Sequence, residues 1–263
     1  MVTRYKVYKD GKALHDVAKS IYITDIQEMP AEMETTAQSL AGDDGSMLVS
    51  HKRASLQIRI SFQIREYNVQ KRREVLNDVL SWAMIDGDLM IGDRPNQRIA
   101  VTLDTTPALS SLKWTDTMVL SFTAWNAPFW IGTDTHTMTL PAGTTGAGSV
   151  TVEGNHVCYP LLLVGNEGEK VINSVSITVD HRTISFTTLN MQPGDYFYLS
   201  PYNMTSCKLS MVMMGESGVK HLNGNRTASS ADCLPIECGK ETEVSFSADG
   251  TAGFYLYTQG VWL

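Results

Sequence analysis

Cysteine is the residue type here with the clearest capacity for chemistry, as a thiol, half of a disulfide or a metal ligand. The chain holds four, all in its second half: Cys158, Cys207, Cys233 and Cys238. An even number is compatible with two disulfides, but four in 263 residues is far below the density of a disulfide scaffold. Cys233 and Cys238 are close in sequence, yet zinc needs a second close pair of Cys or His, which the sequence lacks. The spacing predicts free thiols and no metal site, and it leaves their redox state open.

Other residue types that carry catalysis are present without the spacing that catalysis needs. No two of the six histidines have the i, i+4 spacing of a helical zinc site, and the nucleophile-elbow and phosphate-loop motifs are missing. A glycoside hydrolase needs two carboxylates on facing strands, and nothing pairs the candidates. Those candidates are Glu153, Glu167, Glu169 and Asp180. The sequence predicts a protein that is not an enzyme, with no catalytic residues and no cofactor.

Composition and charge exclude further classes. With 43% hydrophobic and 19% charged residues the chain is typical of a globular protein. Its net charge is −7 and its densest basic run is Lys71-Arg72-Arg73, whereas proteins that bind nucleic acid through phosphates are basic in at least one block. No apolar run approaches the ~20 residues that span a bilayer. Residues 1–10 lack the apolar core of a signal peptide. We therefore expect synthesis in the cytoplasm, no membrane span and no wrapping of nucleic acid.

The clearest structural signal is a strand over residues 54–65. Apolar and polar residues alternate strictly there, which predicts a long strand with one buried face and one face in solvent. The solvent face carries Arg59 and Arg65. Strands of this length often extend beyond the body of a sheet, as arms or belts between subunits.

One convincing helix follows this strand. Asn68 is a plausible N-cap, and the apolar stripe is Val75, Leu76, Val79, Leu80 and Ala83. The outer face is assigned to Lys71, Arg72, Arg73, Asn77, Asp78 and Ser81. We interpret the basic run at its start as a solvated helix face.

The second half has the pattern of an all-β domain. Short strand candidates alternate with turns such as residues 248–250, and the glycine-rich residues 143–148 are predicted to be a loop or linker. The candidates are residues 149–152, 160–164, 175–179, 183–187, 196–199, 208–213, 243–246 and 254–257. Before residue 130, strands are expected at 89–91, 98–103 and 118–124, while residues 11–45 fit poorly and 31–40 suit a short helix or an extended loop.

These elements predict a mainly β protein with two domains. Residues 1–130 form an α+β domain, a β-sheet or sandwich with one packed helix. Residues 131–263 form an antiparallel β-sandwich, because eight short strands at this spacing are typical of that architecture.

The order of the pieces resembles the distal tail protein (Dit) family of long, flexible-tailed bacteriophages. In that family a turn rich in Gly and Asp precedes a long alternating strand with basic residues, as residues 42–65 do here. A helix with a buried Trp near its end follows, here with Trp82, and the domain closes on a Pro-Phe cluster, here Pro128-Phe129. The second half matches in outline through Tyr159-Pro160 and its apolar run, and through Gly194-Asp195 at the start of a strand.

The resemblance implies a structural virion protein at the tail tip. Such proteins form a homo-hexameric ring, single or stacked, that joins the tail tube to the tail-associated lysin or fibre protein. The N-terminal domains build the ring, whose bore lets DNA and the tape-measure protein pass without specific binding of the DNA. The C-terminal sandwich, jelly-roll or galectin-like in shape, faces outward and can hold a receptor-binding protein or touch a cell-surface glycan.

Two sets of residues are candidates for these roles. Asp43 and Asp44 would line the channel, where negative charge repels phosphate, although an exposed turn is the ordinary explanation for them. The long strand would pair through a free edge with a neighbouring subunit. Its intersubunit candidates are Gln57, Arg59, Ser61, Gln63 and Arg65.

An alternative function is a carbohydrate-binding β-sandwich module or adhesin. The second half carries tyrosines whose rings could stack on sugars. They are Tyr159, Tyr196, Tyr198 and Tyr202. Their spacing is also that of strand residues packing in a core, which is the ordinary explanation.

Overall fold

The computed structural model describes residues 5–39, 46–105, 113, 116–201, 205, 207–216 and 218–263. The chain divides into two compact units, Met1–Trp130 (unit 1) and Ile131–Leu263 (unit 2). Strands dominate both units, which confirms the prediction of a mainly β protein. Among the described residues, no helix combines the length and apolarity needed to cross a bilayer.

Unit 1 contains nine strands and two helices among its described residues. They are β1 (Val7–Lys9), β2 (Lys12–Ala13), α1 (Leu14–Val17), β3 (Ile21–Met29), β4 (Met33–Ser39), β5 (Ser46–Arg53), β6 (Leu56–Ile64), α2 (Val69–Met84), β7 (Gly87–Ile91), β8 (Gln97–Thr105) and β9 (Met118–Ala124). The order β2-β1-β7-β8 makes one antiparallel run, and β8-β9-β6-β3 makes another. β8 belongs to both, because its first half pairs with β7 and its second half with β9.

The core of unit 1 is built on the apolar face of β6. Ile58, Ile60 and Phe62 are fully buried, as the alternation predicts. Trp82 of α2 meets Phe122 of β9 edge-on, with ring centroids 6.3 Å apart. The Trp82 indole also donates a hydrogen bond to the Lys12 carbonyl, so the helix is fastened to the neighbouring strands.

Helix α2 begins as its sequence predicts, since the Asn68 side chain accepts hydrogen bonds from the amides of Gln70 and Lys71. The basic run at the start of α2 was expected to be a solvated helix face. For Arg72 this was wrong, because its side chain is buried. Its guanidinium donates to the carbonyls of Glu66 and Tyr67, just before the helix.

The poorly fitting segment before β6 is also extended. Residues 31–40 were expected to be a short helix or an extended loop, and within them Met33–Ser39 forms β4. β3 precedes it, with a register shift between Ile23 and Asp25 that interrupts its pairing with β6.

Unit 2 is organised by its last strand, which is long enough to pair with two other strands in succession. Its elements are β10 (Trp130–Thr151, starting at the last residue of unit 1), β11 (Val157–Cys158), β12 (Leu161–Asn166), β13 (Val175–Val179), β14 (Arg182–Phe186), β15 (Tyr196–Pro201), β16 (Leu209–Gly215), β17 (Gly218–His221), a 3-10 turn (Asn223–Asn225), β18 (Ile236–Glu237) and β19 (Glu241–Trp262). The first half of β19 pairs with β13, which pairs with β14. Its second half pairs with β12, followed in order by β15, β16 and β17.

Two predicted interruptions in this unit were wrong. Residues 248–250, expected to be a turn, lie inside β19. The glycine-rich residues 143–148, expected to be a loop or linker, lie inside β10. Packing explains the glycines, because a Cβ at Gly146 would overlap the ring of Phe246 and one at Gly148 would lie 2.9 Å from the Leu140 side chain.

Candidate functional site

Strand β6 was expected to face a neighbouring subunit, and its solvent side is as predicted. Arg59 and Arg65 are exposed, and the other three candidates, Gln57, Ser61 and Gln63, are half-buried. The Arg65 guanidinium lies 3.8 Å from the ring centroid of Tyr22, a cation–π contact within the unit. Gln63 donates a hydrogen bond to Thr117.

The prediction that β6 has a free edge was wrong. One edge pairs with β3, from Gln57 opposite Met29 to Ile64 opposite Ile21. The other edge pairs with β9, from Leu56 opposite Ala124 onwards. Because both edges are occupied within the unit, another chain cannot add a strand there, and any intersubunit role of the five candidates would use their side chains.

The two strands just before β6 are paired with each other on one edge only in the described part of the chain. β4 and β5 form a two-stranded antiparallel sheet of their own, in which Met33 lies opposite Arg53 and Ala37 opposite Leu48. Residues 32–38 are exposed along their whole length. Met33, Leu48 and Val49 have exposed fractions of 48%, 59% and 54%. We call this element the hairpin arm; an isolated hairpin is only marginally stable in water, so an arm of this kind favours a partner.

The base of the arm is firmly held. The Ala54 amide donates to the Glu32 carbonyl at 2.7 Å, and the Arg53 guanidinium lies 5.8 Å from the ring centroid of Phe129. Beside it, Glu28 at the end of β3 accepts from Arg94 at 3.0 Å and from the buried Trp130 indole at 3.2 Å. These contacts fix the point from which the arm leaves unit 1.

The channel candidates Asp43 and Asp44 lie outside the described residues, between the two strands of the arm.

In unit 2, one face of the sheet β12-β15-β16-β19 carries aromatic side chains in register. Leu163 lies opposite both Tyr255 and Tyr198, and Gly165 lies opposite both Tyr196 and Gly253. Tyr196 is 40% exposed, and its ring centroid is 5.9 Å from that of Tyr198. Of the other tyrosines predicted as sugar contacts, Tyr159 is half-buried and lies outside this face, while Tyr202 lies outside the described residues.

Two of the carboxylates considered for hydrolysis, Glu167 and Asp180, have structural partners. Glu167 accepts a hydrogen bond of 2.8 Å from the Tyr255 hydroxyl, which raises the pKa of that tyrosine. Asp180 occupies a left-handed turn position at φ 54° between β13 and β14 and forms an exposed ion pair with His181. Within the described part of the chain, no group of three or more His, Cys, Asp or Glu residues could hold a metal ion.

Comparison with known proteins identifies the fold. No family model matches the sequence, and no curated protein does. The crystal structure of SPP1 Dit (gp 19.1), described as a paradigm of the hub adsorption apparatus in phages that infect Gram-positive bacteria, is similar over 97% of this chain and 98% of that one, with a TM-score of 0.66 at 12% identity. The phage p2 baseplate in its activated conformation matches at TM-scores of 0.40 with Sr and 0.41 with Ca, at 11% and 12% identity, over 96% and 98% of this chain and 97% and 98% of those chains. Only the similarity to SPP1 Dit is close enough to support a conclusion, and that conclusion is a shared fold.

Proposed function

We propose that this chain is a structural protein of a phage tail tip, a hub of the kind that SPP1 Dit represents. The observation that carries the proposal is the shared fold over 97% of the chain. The identity of 12% leaves the function itself to be tested. The order of sequence features from residue 42 to Phe129 supports the same role independently of the fold comparison.

In this role the chain assembles as a hexameric ring through unit 1. The hairpin arm supplies the contact, because its exposed Met33, Leu48 and Val49 lose water when a neighbouring copy covers them. A ring requires a heterologous interface, in which the arm of one copy meets a different surface of the next. In this proposal the hairpin arm makes the intersubunit contact that the sequence analysis had expected of the edge of β6.

The ring would join a tail tube to a tail-associated lysin or fibre protein and leave a channel for DNA and the tape-measure protein. A net charge of −7 suits a passage that DNA crosses without adhering. Asp43 and Asp44, between β4 and β5 in the sequence, are the candidates for its lining. Unit 2 would face outward, towards a receptor-binding protein or a cell-surface glycan, in the virion.

The test is the mass of the purified chain in solution, by light scattering with negative-stain imaging of the same peak. Six chains of 29.0 kDa give about 174 kDa, and we expect rings with an open centre. Changing Leu48 and Val49 together to Lys should give monomers, while Val219→Lys in unit 2, equally exposed, should leave the ring intact. A wild-type chain that stays monomeric at high concentration contradicts the ring.

A second candidate function is sugar binding by the aromatic face of unit 2. Tyr196 stands beside Gly165, where a side chain would meet open space, and the Glu167 carboxylate lies over Gly253 in the same row. An exposed ring next to a flat floor and a carboxylate is suited to stacking on a pyranose and accepting its hydroxyl hydrogen bonds.

A glycan array with the full chain tests this candidate. Tyr196→Ala should remove any specific signal, and Tyr67→Ala, an exposed tyrosine of unit 1, should keep it. An array without specific binding removes the sugar function and leaves the ring proposal unaffected.

A further inference from the structure

Two cysteines far apart in the sequence meet inside unit 2. β11 and β18 pair antiparallel, with Cys158 opposite Ile236 and Val157 opposite Glu237. Cys238 follows β18 directly, and its amide donates to the His156 carbonyl at 3.1 Å. The pairing sets Cys238 diagonally across from Cys158 on one face of the two strands, so their side chains are neighbours.

The surroundings of the pair hold both sulfurs in place. Cys158 is fully buried, and its sulfur lies 3.2 Å from the Thr258 hydroxyl of β19. Cys238 is 9% exposed. Gly154 lies beside it: a Cβ there would lie 3.0 Å from the Cys238 Cβ and would overlap the Val261 carbonyl oxygen, so this position accepts no side chain.

The two thiols differ in their readiness to react. The hydrogen bond from Cys158 lowers the pKa of Cys238 to about 7, and the same bond together with burial raises the pKa of Cys158. Near neutral pH Cys238 is therefore the nucleophile, since thiolates and not thiols attack oxidants. Cys233 differs, because burial raises the pKa of its thiol.

We propose that Cys158 and Cys238 are an oxidant-sensitive pair that forms an intramolecular disulfide with hydrogen peroxide. The Cys238 thiolate attacks one peroxide oxygen, the O–O bond breaks, and the departing hydroxide takes up a proton to become water. The resulting sulfenic acid is attacked by the Cys158 sulfur, which loses its proton. The S–S bond forms, the S–O bond breaks, and a second water leaves. Two thiols lose two electrons, and one peroxide becomes two waters.

The cross-link would constrain most of unit 2. It would close a loop of about 80 residues containing β12 to β18, and long loops confer the largest stabilisation on a disulfide. For a unit of this size we expect the thermal midpoint of unit 2 to rise by about 10 °C. The proposal stands whether or not the chain assembles at a tail tip.

The experiment treats the reduced full chain with peroxide, blocks remaining thiols, and maps peptides by mass spectrometry without reduction. We expect a peptide pair linked through Cys158 and Cys238, and a higher melting temperature that a reductant reverses. The double variant Cys207→Ser, Cys233→Ser is the matched control and should form the same cross-link. Cys158→Ala should stop at oxidised, unlinked Cys238.

Mapping of the wild-type chain decides the question even if a cysteine variant fails to fold. A sulfinic acid on Cys238 with Cys158 still reduced overturns the proposal. A cross-link confined to Cys207 and Cys233 also overturns it. So does the recovery of all four thiols unmodified from the folded chain, under a peroxide treatment that oxidises the thiols of a denatured sample.

Discussion

The hairpin arm and strand β6 are neighbours in the sequence and opposites in the structure. β6 has fully buried Ile58, Ile60 and Phe62 and partners on both edges. β4 and β5 pair only with each other in the sheet topology and expose apolar side chains. The strand with the strongest alternation has no edge to offer, and its alternation reports only the face that is buried within the unit. A strand reserved for another chain needs no such pattern.

Among the changes that test this contrast, removing a side chain from the buried face of β6 should have the largest effect on the free energy of unfolding. We expect Phe62→Ala to lower the free energy of unfolding of unit 1 by about 3–5 kcal/mol, because it leaves a cavity in the core of this unit. Ser61→Ala, on the solvent side of the same strand, should change it by less than about 0.5 kcal/mol. Urea unfolding measures both, and equal losses would refute the assignment of the two faces.

The next effect concerns the helix beside β6. Arg72→Ala should lower the free energy of unfolding by about 1.5–3 kcal/mol, because the carbonyls of Glu66 and Tyr67 lose a charged donor. Arg73→Ala, one position along and exposed, is the matched control. Similar results for the two arginines would mean that the basic run is a solvated face after all.

A smaller effect is expected at the start of the same helix. Asn68→Ala removes the acceptor of two amide hydrogen bonds and should cost about 1 kcal/mol. Asn68→Ser should restore most of it, since serine also caps helices. Thermal unfolding followed by circular dichroism distinguishes the two variants, and an unchanged midpoint for the alanine variant would contradict the cap.

The smallest effect on stability should come from the arm. Leu48→Ser is expected to change the unfolding free energy of the monomer by less than about 0.5 kcal/mol, because the side chain is already in water. Hydrogen exchange sharpens the test: arm amides should exchange rapidly in monomers and slowly in the assembly. Slow exchange of the arm in a monomer would show that it is covered from within the chain.

The sequence was most informative where a buried pattern is local. The alternation of β6, the Asn68 cap and the stripe through Leu76 and Val79 needed only neighbouring residues and were confirmed. Arg72 was misplaced because its acceptors are backbone carbonyls, which carry no residue signature. The arm was missed because its described residues 32–38 are exposed and set no pattern of a buried face.

Long-range packing accounts for the remaining errors. Gly146 signals flexibility by type, yet its role depends on Phe246, far along the chain. The meeting of Cys158 with Cys238 depends in the same way on the pairing of two short strands. Residue spacing within one segment does not report contacts with a distant segment. The sequence therefore predicted neither the packing of Gly146 nor the meeting of the two cysteines.

The position of β19 in the chain sets the order in which the protein can fold during synthesis. All strands of unit 1 are made by residue 124, so that unit can close while the rest of the chain is still being translated. β12 and β13 instead wait for residues 241–262, which pair with both. Their apolar faces therefore stay open for the time it takes to add about 80 residues, several seconds at typical elongation rates. Unit 2 consequently exposes unpaired strands for longer than unit 1 during synthesis.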